Sequence, residues 1–282
     1  MKRIVTVQDI SCLGKCSLTV ALPVISAMGV ECCVIPTAVL STHTMFSRFT
    51  FKDLTEEIPA ILDHWQEEEF RFDALYTGYL GSRQQVATMI DMFHRFRRED
   101  NFTLVDPVMG DNGRLYTGFD EEFAKQMADL CAVADIIVPN LTEAAYLLGV
   151  DYVAGGYDRA YIQMLLKKLT ALGARCAILT GVSFEEGKIG AMGYDRRTGE
   201  FFEYYNEKIP VSYHGTGDLF ASALLGGLTR GLSMEKALKV AADYVRACIL
   251  YTSQHPCGIA YGACFEPLIP QLCKSLEKEL EH

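Results

Sequence analysis

The sequence predicts an α/β fold in which a doubly wound, mostly parallel sheet carries helices on both faces. Short apolar runs rich in β-branched residues recur along the chain, helical patterns lie between them, and glycine or polar residues end each run. Parallel strands need long crossover connections, so this alternation favours right-handed βαβ units.

The predicted elements follow in chain order. Strands are predicted at residues 4–7, 30–35, 74–77, 102–105, 136–138 and 176–180. Helices are predicted at residues 17–28, 54–69, 83–98, 120–130, 142–148, 158–172, 218–230 and 233–251. Residues 190–194 and 200–205, joined by a polar turn, predict a small antiparallel hairpin at one sheet edge. No internal repeat or proline-rich linker interrupts residues 1–282, so one domain is expected.

Composition excludes several classes of function. A formal net charge of -10 argues against a general nucleic-acid or anionic-membrane binder, since those partners require fields of Lys and Arg. No apolar run approaches the roughly 18 to 20 residues that span a bilayer. The ten cysteines are scattered without paired CxxC spacing, and Met1 leads directly into a strand. A cytoplasmic protein is therefore expected, with most cysteines acting as small core side chains.

The most specific motif is the stretch VSYHGTGDLF at residues 211–220. Gly215, Thr216 and Gly217 can form a tight turn whose amides, with the positive end of the following helix, hold an anion. Asp218 in the first helical turn could accept a proton from an alcohol. The alternative is that Asp218 is only a helix cap, and these four residues alone favour that alternative.

Two further strand ends carry carboxylates. Asp106 and Asp111 follow a strand in VDPVMGDNG and could hold Mg²⁺ through oxygens, or could be solvated acids in a turn. Glu143 follows Asn140 at capping-box spacing, which is a sufficient structural role and compatible with a metal-site role. The Gly-Lys pair ending at Lys15 lacks the earlier glycine of a Walker A motif, so a P-loop is excluded.

Together these segments resemble the pyridoxal kinase family, a branch of the ribokinase-like kinases, over nearly the whole chain. The matching stretches are Gln8 and residues 35–44, 77–82, 106–111, 139–143 and 214–220, and their order and spacing are more specific than any one of them. The resemblance implies ATP-dependent phosphorylation of the hydroxymethyl group of a B6 vitamer: pyridoxal, pyridoxamine or pyridoxine. It also implies Mg²⁺, room for a monovalent cation, and a homodimer.

The resemblance assigns roles to individual residues. Asp218 becomes the general base, and the amides of Gly215, Thr216 and Gly217 form the anion hole. The residues implied to organise Mg²⁺ are Asp106, Asp111 and Glu143. Those implied to line the nucleotide are Asp111, Thr180, Gly181, Ser183, Thr216 and Gly217. Those implied to contact the vitamer are Asp9, Ser41, Thr44 and Tyr79.

Alternatives remain open from the sequence. Asp9 stands where many pyridoxal kinases carry Ser, and it could favour a cationic amine or simply bind a ring hydroxyl or a neighbouring amide. A hydroxymethylpyrimidine kinase of thiamin synthesis would share the fold and the Gly/Asp turn. A non-catalytic vitamin-binding regulator is a third reading, which the retained set of Asp218, Asp106, Asp111 and Glu143 disfavours.

Overall fold

The computed structural model describes residues 1–255 and 261–281 and has the predicted doubly wound α/β architecture. The strands are β1 (Arg3–Ser11), β2 (Glu31–Leu40), β3 (Phe51–Asp53), β4 (Ala74–Thr77), β5 (Phe102–Val105), β6 (Gly110–Asp111), β7 (Arg114–Leu115), β8 (Ile136–Ile137), β9 (Cys176–Val182), β10 (Lys188–Asp195) and β11 (Glu200–Glu207). In this part of the chain, nine of them form one sheet in the order β11-β10-β9-β8-β5-β4-β1-β2-β3. Strands β2, β1, β4, β5, β8 and β9 pair in parallel, and antiparallel strands lie at both edges.

Helices cover both faces of the sheet. They are α1 (Leu18–Ala27), α2 (Ile58–Glu67), α3 (Arg83–Phe96), α4 (Glu121–Ala132), α5 (Leu141–Leu148), α6 (Arg159–Ala171), α7 (Thr216–Thr229), α8 (Met234–Gln254) and α9 (Ile269–Glu281). Alternate residues of each strand point to opposite faces, so Ile4 and Tyr76 pack with α1, α7, α8 and α9. Their neighbours Val5 and Leu75 pack with α2 to α6. The apolar runs of the sequence are continuous because both faces are buried.

The main elements predicted from the sequence are confirmed. All six predicted strands are present, and the predicted hairpin is β10–β11 at the sheet edge. Strand β8 stops at Ile137, one residue earlier than predicted, although the Val138 amide still donates to the Val105 carbonyl at 3.0 Å. The edge strand β3 and the short β6–β7 hairpin were not predicted.

Side-chain caps fix where several helices begin. Ser82, Asp120 and Asp158 each accept a hydrogen bond from a backbone amide in the first turn of α3, α4 and α6. Asn140 and Glu143 form a complete capping box at the start of α5, as their spacing predicts. These caps set the points at which the chain leaves the end of the sheet.

Four of the nine cysteines in the described residues are buried, so the prediction that most act as core side chains holds only in part. Cys16, Cys131, Cys176 and Cys248 are buried free thiols, and burial raises the pKa of each. Within residues 1–255 and 261–281, no helix combines the length and apolar character needed to cross a bilayer.

We expect Gly190→Ala to destabilise the sheet edge. A Cβ at Gly190 would lie 2.0 Å from the Tyr204 carbonyl oxygen and 2.7 Å from the Tyr205 Cα, so backbone atoms must move apart. The expected loss is about 1 to 3 kcal/mol in the free energy of unfolding, measured by urea denaturation. Gly155→Ala is the matched control, because a Cβ there meets no described atom within 4 Å. Equal stability of the two variants would contradict the packing.

Candidate active site

The candidate active site lies where the parallel strands end and α7 begins. Asp9 is near the end of β1, Asp106 follows β5, and Asn140 follows β8 at the start of α5. The carboxyl ends of parallel strands share one edge of a sheet, and ligands of open α/β folds bind there. Three segments far apart in the sequence therefore contribute polar side chains to one cleft.

The turn before α7 can be built only with glycine at its first position. Gly215 has φ +79°, and a Cβ there would lie 2.0 Å from the Lys15 carbonyl oxygen. The following α7 runs for 14 residues into the apolar core, so its first turn is firmly held. Amides of that turn lack helical carbonyl partners, and the Thr216 hydroxyl donates to the Tyr213 carbonyl at 3.2 Å. The turn is thus suited to hold an anion.

Asp218 is half-buried in the first turn of α7. Burial raises the pKa of its carboxyl to about 7, and the nearby Asp9 raises it further, while a hydrogen bond from the Ser17 amide lowers it. Ser17 itself has φ +50°, a backbone conformation that aims its amide at this carboxylate and that few side-chain-bearing residues adopt. The simple cap role does not apply, because the N-cap of α7 is Gly215.

Asp106 and Glu143 form a buried pair of carboxylates beside this turn. Asp106 is 7% exposed and Glu143 is 3% exposed. A Cβ built on Gly217 would be 3.9 Å from Asp106 Oδ2, so the pair and the α7 turn share one cleft. Burial raises the pKa of Asp106 well above its usual range, and Glu143 and Asp218 add to the increase. Burial also raises the pKa of Glu143.

Glu143 ties the ends of β5 and β8 together. Its carboxylate accepts hydrogen bonds from the Asn140 amide at 2.8 Å and the Met109 amide at 3.2 Å. The Asn140 side chain donates to the Gly110 carbonyl at 2.9 Å. The predicted cap role is therefore confirmed, and the same bonds hold Glu143 against the segment that follows Asp106.

Asp111 lies at the rim, on the exposed β6–β7 hairpin. Its carboxylate accepts hydrogen bonds from the backbone amide of Asn112 at 2.8 Å and from the side chain of Asn112 at 2.9 Å. The Asp111 charge contributes to raising the pKa of Glu143, which places it near the buried pair. Asp111 is consequently the solvent-facing member of this acidic set.

The predicted vitamer contacts divide into two groups. Asp9 is 5% exposed and accepts a hydrogen bond from the Ser11 hydroxyl at 3.1 Å. Burial and then the Asp9 charge raise the pKa of the half-buried Tyr79 to about 12, so these two side chains lie in one region. Ser41 and Thr44 instead lie on the exposed loop after β2, where the Ser41 hydroxyl accepts from the Thr50 amide at 2.8 Å. Ser41 therefore closes the base of that loop.

The predicted nucleotide contacts lie at the end of β9. The Thr180 amide donates to the Pro139 carbonyl at 3.0 Å, and Gly181 bulges out of the β9–β10 pairing with φ +73°. Both are thus next to the start of α5. The Ser183 hydroxyl donates to the Lys188 carbonyl at 2.7 Å, so it closes the β9–β10 turn.

Two histidines in the site were not predicted from the sequence. His43 is buried, and its ring centroid is 4.3 Å from that of His214. His214 directly precedes the Gly215 turn. Burial and His43 lower the pKa of His214 to about 4, so this ring is neutral near pH 7. Both residues fall within stretches that match the kinase family, but their contact spans more than 150 residues and no local spacing indicates it.

Comparisons with known proteins identify the family and the fold of this chain. The family model described as phosphomethylpyrimidine kinase matches residues 20–262. A Bacteroides thetaiotaomicron protein provisionally described as a phosphomethylpyrimidine kinase, solved with pyridoxal, is 40% identical with a TM-score of 0.92 and covers 96% of this chain and 95% of its own. Pyridoxal kinase from Lactobacillus plantarum is 29% identical with a TM-score of 0.90, covering 99% of both chains.

A more distant structure shares the fold. Pyridoxal kinase from Leishmania donovani, solved with ADP and pyridoxamine, has a TM-score of 0.83 at 22% identity and covers 96% of both chains. The resemblance to ribokinase-like pyridoxal kinases is thereby confirmed at the level of family and fold. The chain belongs to the phosphomethylpyrimidine kinase family.

Proposed function

We propose that this protein is an ATP-dependent kinase that phosphorylates the hydroxymethyl group of a B6 vitamer. The observation that carries the proposal is the Asp218 carboxylate, with a pKa of about 7, at the mouth of the Gly215 turn and in one cleft with Asp106. The pyridoxal kinase from L. plantarum and the pyridoxal-bound relative from B. thetaiotaomicron support a B6 vitamer as acceptor. The ADP complex of the L. donovani enzyme supports ATP as co-substrate.

In the proposed reaction, Asp218 takes the proton of the vitamer's hydroxymethyl group as its oxygen attacks the γ-phosphorus of ATP. The bond between that phosphorus and the β–γ bridging oxygen breaks, and ADP leaves. The amides of Gly215, Thr216 and Gly217 stabilise the negative charge on the transferred group. A base with a pKa near the working pH is ionised often enough to act and basic enough to accept the proton.

The acidic pair fits a divalent cation. Asp106 and Glu143 are buried carboxylates, and no described Lys, Arg or His forms an ion pair with either of them. Among the described residues, no three His, Cys, Asp or Glu side chains could hold a metal by themselves. We propose that Asp106, Glu143 and Asp111 hold Mg²⁺ together with nucleotide oxygens and water, as is usual for this ion. Bound Mg²⁺ would neutralise charge on the phosphates.

The remaining predicted residues complete the proposal. Thr180, Gly181 and Ser183 are proposed to line the nucleotide. Asp9, Ser41, Thr44 and Tyr79 are proposed to contact the vitamer. A monovalent cation near the phosphates, a homodimer, a cytoplasmic location and a single kinase domain over residues 1–282 stay predictions.

Hydroxymethylpyrimidine kinase activity is the second candidate, because the matching family model carries the name of a pyrimidine kinase. Both acceptors are hydroxymethyl groups on flat nitrogen heterocycles, so the same base and anion hole would serve either. The non-catalytic regulator is disfavoured, since binding alone does not require the three buried carboxylates Asp9, Asp106 and Glu143 around a base.

We expect ADP release with pyridoxal, pyridoxamine and pyridoxine, and much less with hydroxymethylpyrimidine. The measurement is a coupled ADP assay with all four acceptors at equal concentration, with ATP and Mg²⁺ present. Dominant turnover of hydroxymethylpyrimidine would move the assignment to the thiamin branch. Absence of ADP with every acceptor would leave only a binding role.

We expect Asp218→Asn to reduce kcat by about 10² to 10⁴-fold, the usual contribution of a general base.

At about pH 8 we expect the same variant to be more stable to unfolding than the wild type. Its wild-type carboxyl has a folded pKa near 7, above the ordinary 3.8, so the ionised form costs stability once the pH exceeds the unfolded value. Thermal unfolding at about pH 8 and about pH 4 tests the sign, because the gain should vanish at the lower pH.

Asp91→Asn is the control for this variant. Asp91 is an exposed carboxylate of α3 that pairs with Arg95, so its loss changes the net charge equally without touching the cleft. Near-normal turnover in Asp218→Asn would remove the base assignment.

We expect kcat/KM to fall as the pH drops below about 7, because protonated Asp218 cannot accept a proton. Asp9 contributes to raising the pKa of Asp218, so Asp9→Asn should shift this acid limb to lower pH. The profile is measured between about pH 5 and about pH 9 at constant ionic strength, with the substrate's own titration subtracted. If the acid limb of Asp9→Asn lies at the same pH as that of the wild type, the limb does not report the protonation of Asp218.

A further inference from the structure

Asp9 is a buried carboxylate whose charge no described residue neutralises. It lies at an irregularity in the β1–β2 pairing, between Gln8 and Ile10, and is 5% exposed. Its hydrogen-bond donors are the hydroxyls of Ser11 and Ser17 and its own backbone amide, none of which carries a charge. In residues 1–255 and 261–281, no ion pair joins Asp9 to Lys, Arg or His. A buried acid of this kind normally pairs with a cation.

Within the described part of the chain, no group near Asp9 supplies that cation. The Asp9 charge raises the pKa of Asp218, Tyr79 and Cys16. These three neighbours are all acids, so they become negative rather than positive when they ionise. Burial raises the pKa of Asp9, and the two serine hydroxyls only partly oppose this. A positive charge brought by a ligand would stabilise ionised Asp9.

The proposed reaction places such a charge within reach. On the pyridine ring of a B6 vitamer, the phosphorylated hydroxymethyl group and the variable 4-substituent are on adjacent carbons. When the hydroxymethyl oxygen lies at Asp218, the 4-substituent on the adjacent ring carbon can contact the side chains that neighbour Asp218. Asp9 is such a neighbour, because the Ser17 hydroxyl donates to Asp9 while the Ser17 amide donates to Asp218, so one residue bridges the two carboxylates. The half-buried Tyr79 lies near enough to Asp9 for the two groups to interact electrostatically.

Building on the proposed function, we infer that Asp9 selects the aminomethyl vitamer, pyridoxamine, by binding its ammonium group. Pyridoxal carries an uncharged aldehyde and pyridoxine an uncharged hydroxymethyl at this position. Hydrogen bonds between charged partners are about twice as strong as neutral ones. All three vitamers share the ring, so effects of the ring nitrogen cancel when they are compared.

The test is the ratio of kcat/KM for pyridoxamine to that for pyridoxal, in wild type, Asp9→Asn, Asp9→Ser and the control Asp91→Asn. We expect the ratio to fall by about 10- to 100-fold in both Asp9 variants, as loss of one charge-assisted hydrogen bond requires, and to be unchanged in the control. The loss should fall mainly on pyridoxamine. An unchanged ratio in both Asp9 variants overturns the inference.

A measurement on the unmodified enzyme covers the case in which neither Asp9 variant folds. Calorimetric titration should give a lower Kd for pyridoxamine than for pyridoxine, and equal affinities overturn the inference. The outcomes separate from those of the proposed function. Turnover of no vitamer rejects the kinase, whereas turnover of both with an unmoved ratio rejects only the role of Asp9.

Discussion

Repulsion among carboxylates at the end of the sheet is the constraint on which the site depends. Asp9 raises the pKa of Asp218, and Glu143 and Asp218 raise that of Asp106. In a low-dielectric cleft such like charges cannot all ionise without compensation. Among the described residues, compensation comes from neutral donors only, namely backbone amides at Glu143 and Asp218 and serine hydroxyls at Asp9. A positively charged ligand that binds in this cleft will therefore also stabilise the folded protein.

Backbone geometry keeps these charges in place. The Gly215 turn lies against the Lys15 carbonyl, and the Lys15 amide donates to the Tyr261 carbonyl at 3.0 Å. The Lys15 side chain forms an ion pair with Glu266, and the Ala263 amide donates to the His214 carbonyl at 3.2 Å. The loop after β1, the turn before α7 and the segment before α9 thus form one scaffold. The position of Asp218 depends on contacts between residues more than 200 positions apart in the sequence.

Features set by local sequence could be predicted, and features set by distant contacts could not. Strand periodicity gave the sheet, and the spacing of Asn140 and Glu143 gave the α5 cap. The positive φ of Ser17 and the contact between His43 and His214 depend on tertiary packing, so no local pattern indicates them. Edge strand β3 was missed because it has three exposed residues, too few for a periodic signal.

The same electrostatics connect nucleotide binding to the base. Bound substrates would cover the half-buried Asp218, and further burial alone would raise its pKa and leave it protonated. Asp106 and Glu143 would hold a cation that offsets the negative charges they direct at the cleft, and this would lower the pKa of Asp218. Positive charge that enters with the substrates would favour the ionised form of Asp218 once they cover it. The acidic pair would then favour proton transfer to Asp218 as well as neutralise charge on the phosphates, and binding of the cation would offset the cost of burying these carboxylates in the folded protein.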